Sequence, residues 1–193
     1  MTAPMPAHVF SIGHSRHPIA RFLTLLEQHQ IAVLVDVRST PYSRFSPQFG
    51  RNALQSSVLA AGRSYRFLGK ELGGRPEDAA FYDDDGHVLY GRRARSPEFL
   101  SGIERLEPEL TLHRVAILCS EENPEHCHRR LLVGRVLEAR GIAVDHIRGD
   151  GRLEPESELA RRGDRQAALF GAALEETWRS SQPVRPRPRS ERS

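Results

Sequence analysis

The stretch Ile31-Ala32-Val33-Leu34-Val35-Asp36-Val37 constrains the fold more than any other part of this chain. It is almost wholly apolar and β-branched, the signature of a strand covered on both faces, and such strands belong to parallel sheets. Upstream, Val9-Phe10-Ser11-Ile12-Gly13 reads as a first strand. Phe22, Leu23, Leu25 and Leu26 then form a stripe that predicts a helix over residues 18–29, with Ser15 as its candidate cap. Strand, helix and strand within about 30 residues make a βαβ unit. The pattern recurs. Helices are predicted over residues 52–61, 97–106 and 126–140, the last closed by Gly141, and strands over 64–68, 114–119 and 142–147. The expected fold class is α/β: a single three-layer domain over residues 8–178, its sheet mainly parallel, with helices on both faces. One more short helix is predicted near residues 165–177.

A domain built from 193 residues buries enough surface to need no disulfide staple. No apolar run approaches the roughly 20 residues of a membrane span, so no membrane partner is expected. The start, Met1-Thr2-Ala3-Pro4-Met5-Pro6, has neither the basic nor the apolar region of a secretion signal. Two cysteines without such a signal fit a reducing compartment, and the expected location is cytoplasmic. Net charge is +3, but residues 179–193 hold five arginines against Glu191, which leaves the remainder at −1. The basic signal therefore sits in the Ser/Pro/Arg-rich tail, which is expected to be disordered and is a possible polyanion contact. Lys70 is the sole lysine, so any anion would be held by arginine forks.

In open α/β sheets, ligands bind outside the carboxyl ends of the strands. Applied here, the rule collects His14 and Ser15 after the first strand, Asp36, Arg38 and Ser39 at the end of the second, and Lys70 and Glu71 after the third. Cys119, Ser120 and Glu121 end the fourth, and Cys127, His128 and Arg129 open the helix that follows. The chemically capable residues gather at one edge. Two long connections, residues 39–50 and 69–96, read as loops, and loops this long either cover a site or are mobile.

The same residues carry a resemblance. Ser11-Ile12-Gly13-His14-Ser15, Val35-Asp36-Val37-Arg38-Ser39, a loop with Pro41, Arg44, Pro47 and Phe49, Glu71-Leu72-Gly73-Gly74, and Leu118-Cys119-Ser120-Glu121 leading to Cys127-His128-Arg129 occur in this order. Over residues 8–150 the chain resembles the domain-of-unknown-function 488 family. The resemblance implies an intracellular, Rossmann-like α/β domain and implies no particular reaction. Ser46 and the arginine-rich tail depart from the family pattern.

Residue by residue, Cys127 stands in the first turn of a predicted helix beside His128 and Arg129, a setting that lowers a thiol's pKa. Asp36 is read as an acid/base, Cys127 with His128 and Cys119 as the reactive group, and Arg38 and Arg129 as anion holders. His14, Ser15, Arg44, Glu71 and Glu121 complete the candidate substrate site. The leading expectation is an enzyme, a hydrolase or transferase acting at a glycosidic or phosphoester bond of a small anionic, nucleotide-like ligand. A metal or thiol redox site on Cys119, Cys127 and His128, with His14 as a distant ligand, is the first alternative; no cofactor is assigned. His126 and His128, two apart, are not expected to share a helical face. The second alternative is a non-catalytic nucleic-acid module. It would use the basic tail and the loop that interleaves Tyr42, Phe45 and Phe49 with Arg44 and Arg51. Asp83-Asp84-Asp85-Gly86 reads as a solvated turn rather than a calcium loop.

Overall fold

Alternation along each central strand sends apolar side chains to two separate cores, one on either side of a six-stranded sheet. The computed structural model describes residues 8–42, 44–162 and 178–184. The strands are β1 (His8–Gly13), β2 (Val33–Asp36), β3 (Ser64–Phe67), β4 (Val115–Cys119), β5 (Ala143–Ile147) and β6 (Leu153–Pro155). Their order is β3-β2-β4-β1-β5-β6; the first five run parallel, and β6 pairs antiparallel with β5. Phe10, Ile12, Leu34, Ala116 and Leu118 face α1 (Ile19–Gln28) and α2 (Arg51–Ala60), where they meet Phe22, Leu25, Leu26, Leu54 and Val58. The neighbouring positions Val9, Val33, Val35, Val115 and Ile117 face the other way. There they meet Phe99, Ile103, Leu106 and Leu110, and Leu132, Val133 and Leu137. The short helix α3 (Tyr90–Arg93), α4 (Pro97–Leu112) and α5 (Arg135–Ala139) supply that layer, with a π-helical stretch, Arg129–Gly134, leading into α5. Each fully buried Leu or Phe in these cores contributes about 1.5–3 kcal/mol. The fold is α/β with helices on both faces, as the alternation predicts.

Several boundaries differ, each for a physical reason. Helix α4 starts where Ser96 caps it, its hydroxyl accepting from the Phe99 N–H, but it continues through Pro108 to Leu112 because Leu110 is buried on the same face. Ser15 does not cap α1; it has φ 47°, and the helix starts after Pro18. The 69–96 connection is not a bare loop. It carries a 3-10 turn, Ala79–Phe81, a Tyr82–Val88 bridge and α3. Strand β6 has no apolar alternation to betray it; Arg148, on the connection before it, forms an ion pair with Glu154. No helix among the described residues is long and apolar enough to cross a membrane.

The expected disorder from residue 179 is corrected for residues 179–184. Val88 and Ser180 exchange backbone and hydroxyl hydrogen bonds at 2.9 and 3.0 Å, and the Val184 N–H donates to the Gly86 carbonyl at 2.9 Å. Trp178 donates its indole N–H to the Leu131 carbonyl at 2.6 Å, under the Arg135 guanidinium at 4.6 Å. A segment with few apolar residues is thus held by backbone pairing to the 86–91 connection. The helix predicted near 165–177 and the tail beyond 184 lie outside the described residues.

Candidate functional site

Strand β1 lies between β4 and β5, and the segments leaving β1 and β4 are stitched together at their carboxyl ends. The His14 N–H donates to the Cys119 carbonyl at 3.0 Å and the Ser15 N–H to that of Ser120 at 2.8 Å. Gly13 makes this possible: a Cβ there would sit 1.7 Å from the Glu121 carbonyl oxygen. Above this seam opens a cleft of about 810 Å³. Of the residues collected from the sequence, His14, Ser15, Arg38, Ser39, Cys119, Ser120, Glu121 and His128 line it.

Asp36 does not. It is fully buried beneath the floor. Its carboxylate accepts from the Arg38 backbone N–H, the Arg38 Nε at 2.9 Å and Nη2 at 2.6 Å, and the Tyr65 hydroxyl at 2.7 Å. The acid/base role read for Asp36 gives way to a structural one, because its lone pairs are already occupied away from the cleft. Arg38 also donates to His14 Nε2 at 3.1 Å and the Phe49 carbonyl at 2.9 Å. The His14 ring, stacked on Phe49 at 4.3 Å, donates from Nδ1 to the Ser15 carbonyl at 2.7 Å. Burial, then the neighbouring Arg38, lowers its pKa to about 4. His14 is therefore neutral at pH 7 with both nitrogens engaged, which removes it as a phosphate cation and as a distant metal ligand.

The cysteine corner is organised differently. Cys119 Sγ lies 3.6 Å from His128 Nδ1, and those two atoms and Cys127 Sγ lie within 4.8 Å of one another. The His128 Nε2–H donates to the Val37 carbonyl at 3.0 Å, so its Nδ1 lone pair faces the sulfurs. Gly74 backs the ring; a Cβ there would come within 2.5 Å of His128 Cγ. The expectation for Cys127 is reversed. Burial, then its hydrogen bond to Cys119, pushes the Cys127 thiol well above its ordinary value. The same hydrogen bond, with Arg129 assisting against burial, holds Cys119 below its own. The cleft-facing thiol is thus the more acidic one, and Cys127 stands behind it. Two thiols and an imidazole grouped this closely are a donor set suited to a soft cation.

Arg129 is corrected as an anion holder. It is fully buried, and its guanidinium donates to the Glu121 and Glu122 carbonyls and to Ser11 Oγ. Ser11 in turn donates to His146, which donates to Glu156. The network pins the turn after Cys119. Glu71 points elsewhere, paired with Arg105, and neither it nor Arg44, which lies over Phe45, lines the cleft. Arg51 stacks on Phe67 at 4.1 Å and Phe49 is buried, which leaves Tyr42 and Phe45 as the loop aromatics at the cleft.

Sequence reasoning missed Arg16, Arg75, Tyr90, His126 and the docked residues Ser180, Ser181, Gln182 and Val184, all in the cleft wall. Helical spacing separates His126 from His128, but His126 precedes the helix and the spacing rule does not reach it. Arg75 had a signal, since it follows Gly73-Gly74 in a long connection; the docked tail had none.

No curated protein and no solved structure matches the chain. The sequence pattern of one family, described as Domain of unknown function DUF488, matches residues 18–136. That span is well over half of the chain and includes Asp36, Arg38, Gly74, Cys119, Cys127 and His128. On this match, the chain belongs to the DUF488 family.

Proposed function

We propose that the protein is an enzyme that takes a small anionic, nucleotide-like or otherwise phosphate-bearing molecule into the cleft. There it transfers or hydrolyses a glycosidic or phosphoester bond beside Cys119 and His128. One observation carries the reading: among the described residues, Arg16, Arg38 and Arg75 line the cleft against a single carboxylate, Glu121, with Cys119 and His128 in the same wall. Guanidinium groups bind phosphate through fork-shaped, charge-assisted hydrogen bonds. Arg38 already makes hydrogen bonds to Asp36, His14 and Phe49, so Arg16 and Arg75 hold the anion while Arg38 shapes the floor. Tyr42, 72% exposed at the rim, offers a face on which a base can stack. Glu121 and Ser15, both in the cleft lining, accept hydrogen bonds from ligand hydroxyls in this reading.

The test is calorimetric titration with nucleotides, sugar phosphates, their neutral counterparts and a short oligonucleotide. Phosphate-bearing small molecules should bind and the neutral ones should not. Replacing Arg16 and Arg75 together by Ala should weaken binding about tenfold or more, and added salt should weaken it further. Cys119→Ser should keep binding and lose turnover. A panel with no binder overturns the reading, and preference for the oligonucleotide replaces it with the nucleic-acid module.

A further inference from the structure

We infer that Cys119 Sγ, Cys127 Sγ and His128 Nδ1 form a three-ligand site for a borderline-soft divalent cation of the zinc class, with its fourth position open to the cleft. The inference deepens the preceding reading and rests on it only for what occupies that fourth position. Two sulfurs and one imidazole are a donor set that selects zinc-like ions over magnesium or calcium.

The spacing fits. Bonds of about 2.3 Å to sulfur and about 2.0 Å to nitrogen, arranged tetrahedrally, put those two atoms about 3.5 Å apart. Cys119 Sγ and His128 Nδ1 are 3.6 Å apart, and Cys127 Sγ completes a group no wider than 4.8 Å. The imidazole is also presented the way a ligand must be. Its outer nitrogen donates to the Val37 carbonyl at 3.0 Å, which fixes the tautomer and leaves the inner lone pair toward the sulfurs. A backbone carbonyl on the far nitrogen is one of the usual supports of a metal-bound histidine. Gly74 holds the ring from behind.

Placement then decides the kind of site. Cys119 and His128 line the cleft, whereas Cys127 is 2% exposed and does not. With one ligand behind and two in the wall, the remaining tetrahedral direction points outward. Closed structural zinc sites use four protein ligands; three with an outward vacancy is the catalytic pattern. A cation there would polarise a phosphoryl or glycosidic oxygen of a molecule held by Arg16 and Arg75.

The experiment uses the full chain, stripped with a chelator under reducing conditions and then titrated with zinc against a chromophoric competitor, and separately with cobalt. Wild type should bind one equivalent, and cobalt should give the visible bands of a tetrahedral centre with a sulfur-to-metal charge-transfer band. Cys127→Ser and His128→Gln should each weaken zinc by more than the roughly 10–100-fold that loss of an outer-shell partner costs. Circular dichroism identifies any variant that fails to fold, and the wild-type titration stands without the variants. Absence of stoichiometric zinc and cobalt binding to wild type, or binding unchanged in folded Cys127→Ser, overturns the site. The same samples are titrated with the phosphate-bearing panel. Anion binding without metal binding refutes this inference alone, and metal binding without anion binding refutes the anion-cleft reading alone.

Discussion

The Asp36–Arg38 knot and the Cys119–Cys127–His128 corner stand at the ends of adjacent strands, β2 and β4, and both contain residues that sequence alone makes candidates for catalysis. Their difference lies in where the polar atoms point. In the knot, Asp36, Arg38, Tyr65 and His14 hydrogen-bond one another, Asp36 and Tyr65 beneath the floor and Arg38 and His14 forming part of it. In the corner, two sulfurs and one nitrogen converge, and Cys119 and His128 face the cleft. A charged pair at a ligand-binding edge is therefore no guide to chemistry until its hydrogen bonds are counted. The knot shapes the floor; the corner presents Cys119 and His128 to the cleft.

The comparison breaks most visibly if the knot proves dispensable for folding. Asp36→Ala leaves Arg38 buried and unpaired, and should cost about 3–5 kcal/mol in urea denaturation. A loss under 1 kcal/mol would show that the floor does not depend on the pair.

Acid should act through the same knot. His14 has its pKa lowered to about 4 in the folded protein, against an ordinary 6.5. Between those values the unfolded chain binds the proton and the folded one does not, so stability is full above about pH 6.5 and falls toward pH 4. The contribution is at most about 3.5 kcal/mol. Burial also lowers the pKa of His146, so the His14 share is the difference between wild-type and His14→Gln stability curves across pH 4–7. Parallel curves would contradict the neutral, enclosed His14.

The docked tail should matter less, but measurably. Trp178→Ala removes a packed indole and its hydrogen bond to Leu131, with an expected cost of about 2 kcal/mol, below the 3–5 typical of a fully buried aromatic. The smallest effect belongs to Glu71. Because it pairs with Arg105 away from the cleft, Glu71→Gln should leave anion binding within about twofold, which sharpens the boundary of the site.

Much of this was legible in the residues themselves. Apolar runs such as 31–37 reveal the parallel sheet, and the rule about strand ends gathers His14, Arg38, Cys119 and His128 from the sequence alone. What the pattern could not reveal was orientation. Cys127 and Arg129 sit beside His128 in sequence, yet the turn into the π-helical stretch buries both, one against Cys119 and the other beneath the Glu121 and Glu122 carbonyls. Glu71 follows a strand as His14 does, but pairs with Arg105 on the 97–112 helix. The 179–184 segment was invisible for another reason. Its docking depends on backbone hydrogen bonds to residues 86–91, and composition carries no record of those.

We propose that the thiol available for reaction is the cleft-facing Cys119, with Cys127 behind it. Alkylation of the chelator-treated native chain across a pH series, with each cysteine mapped by peptide mass spectrometry, tests it most directly. Cys119 should label at a lower pH than Cys127, Cys127 only at higher pH or on unfolding, and zinc should protect Cys119. Labelling of Cys127 before Cys119, or of neither until the protein unfolds, would contradict the account.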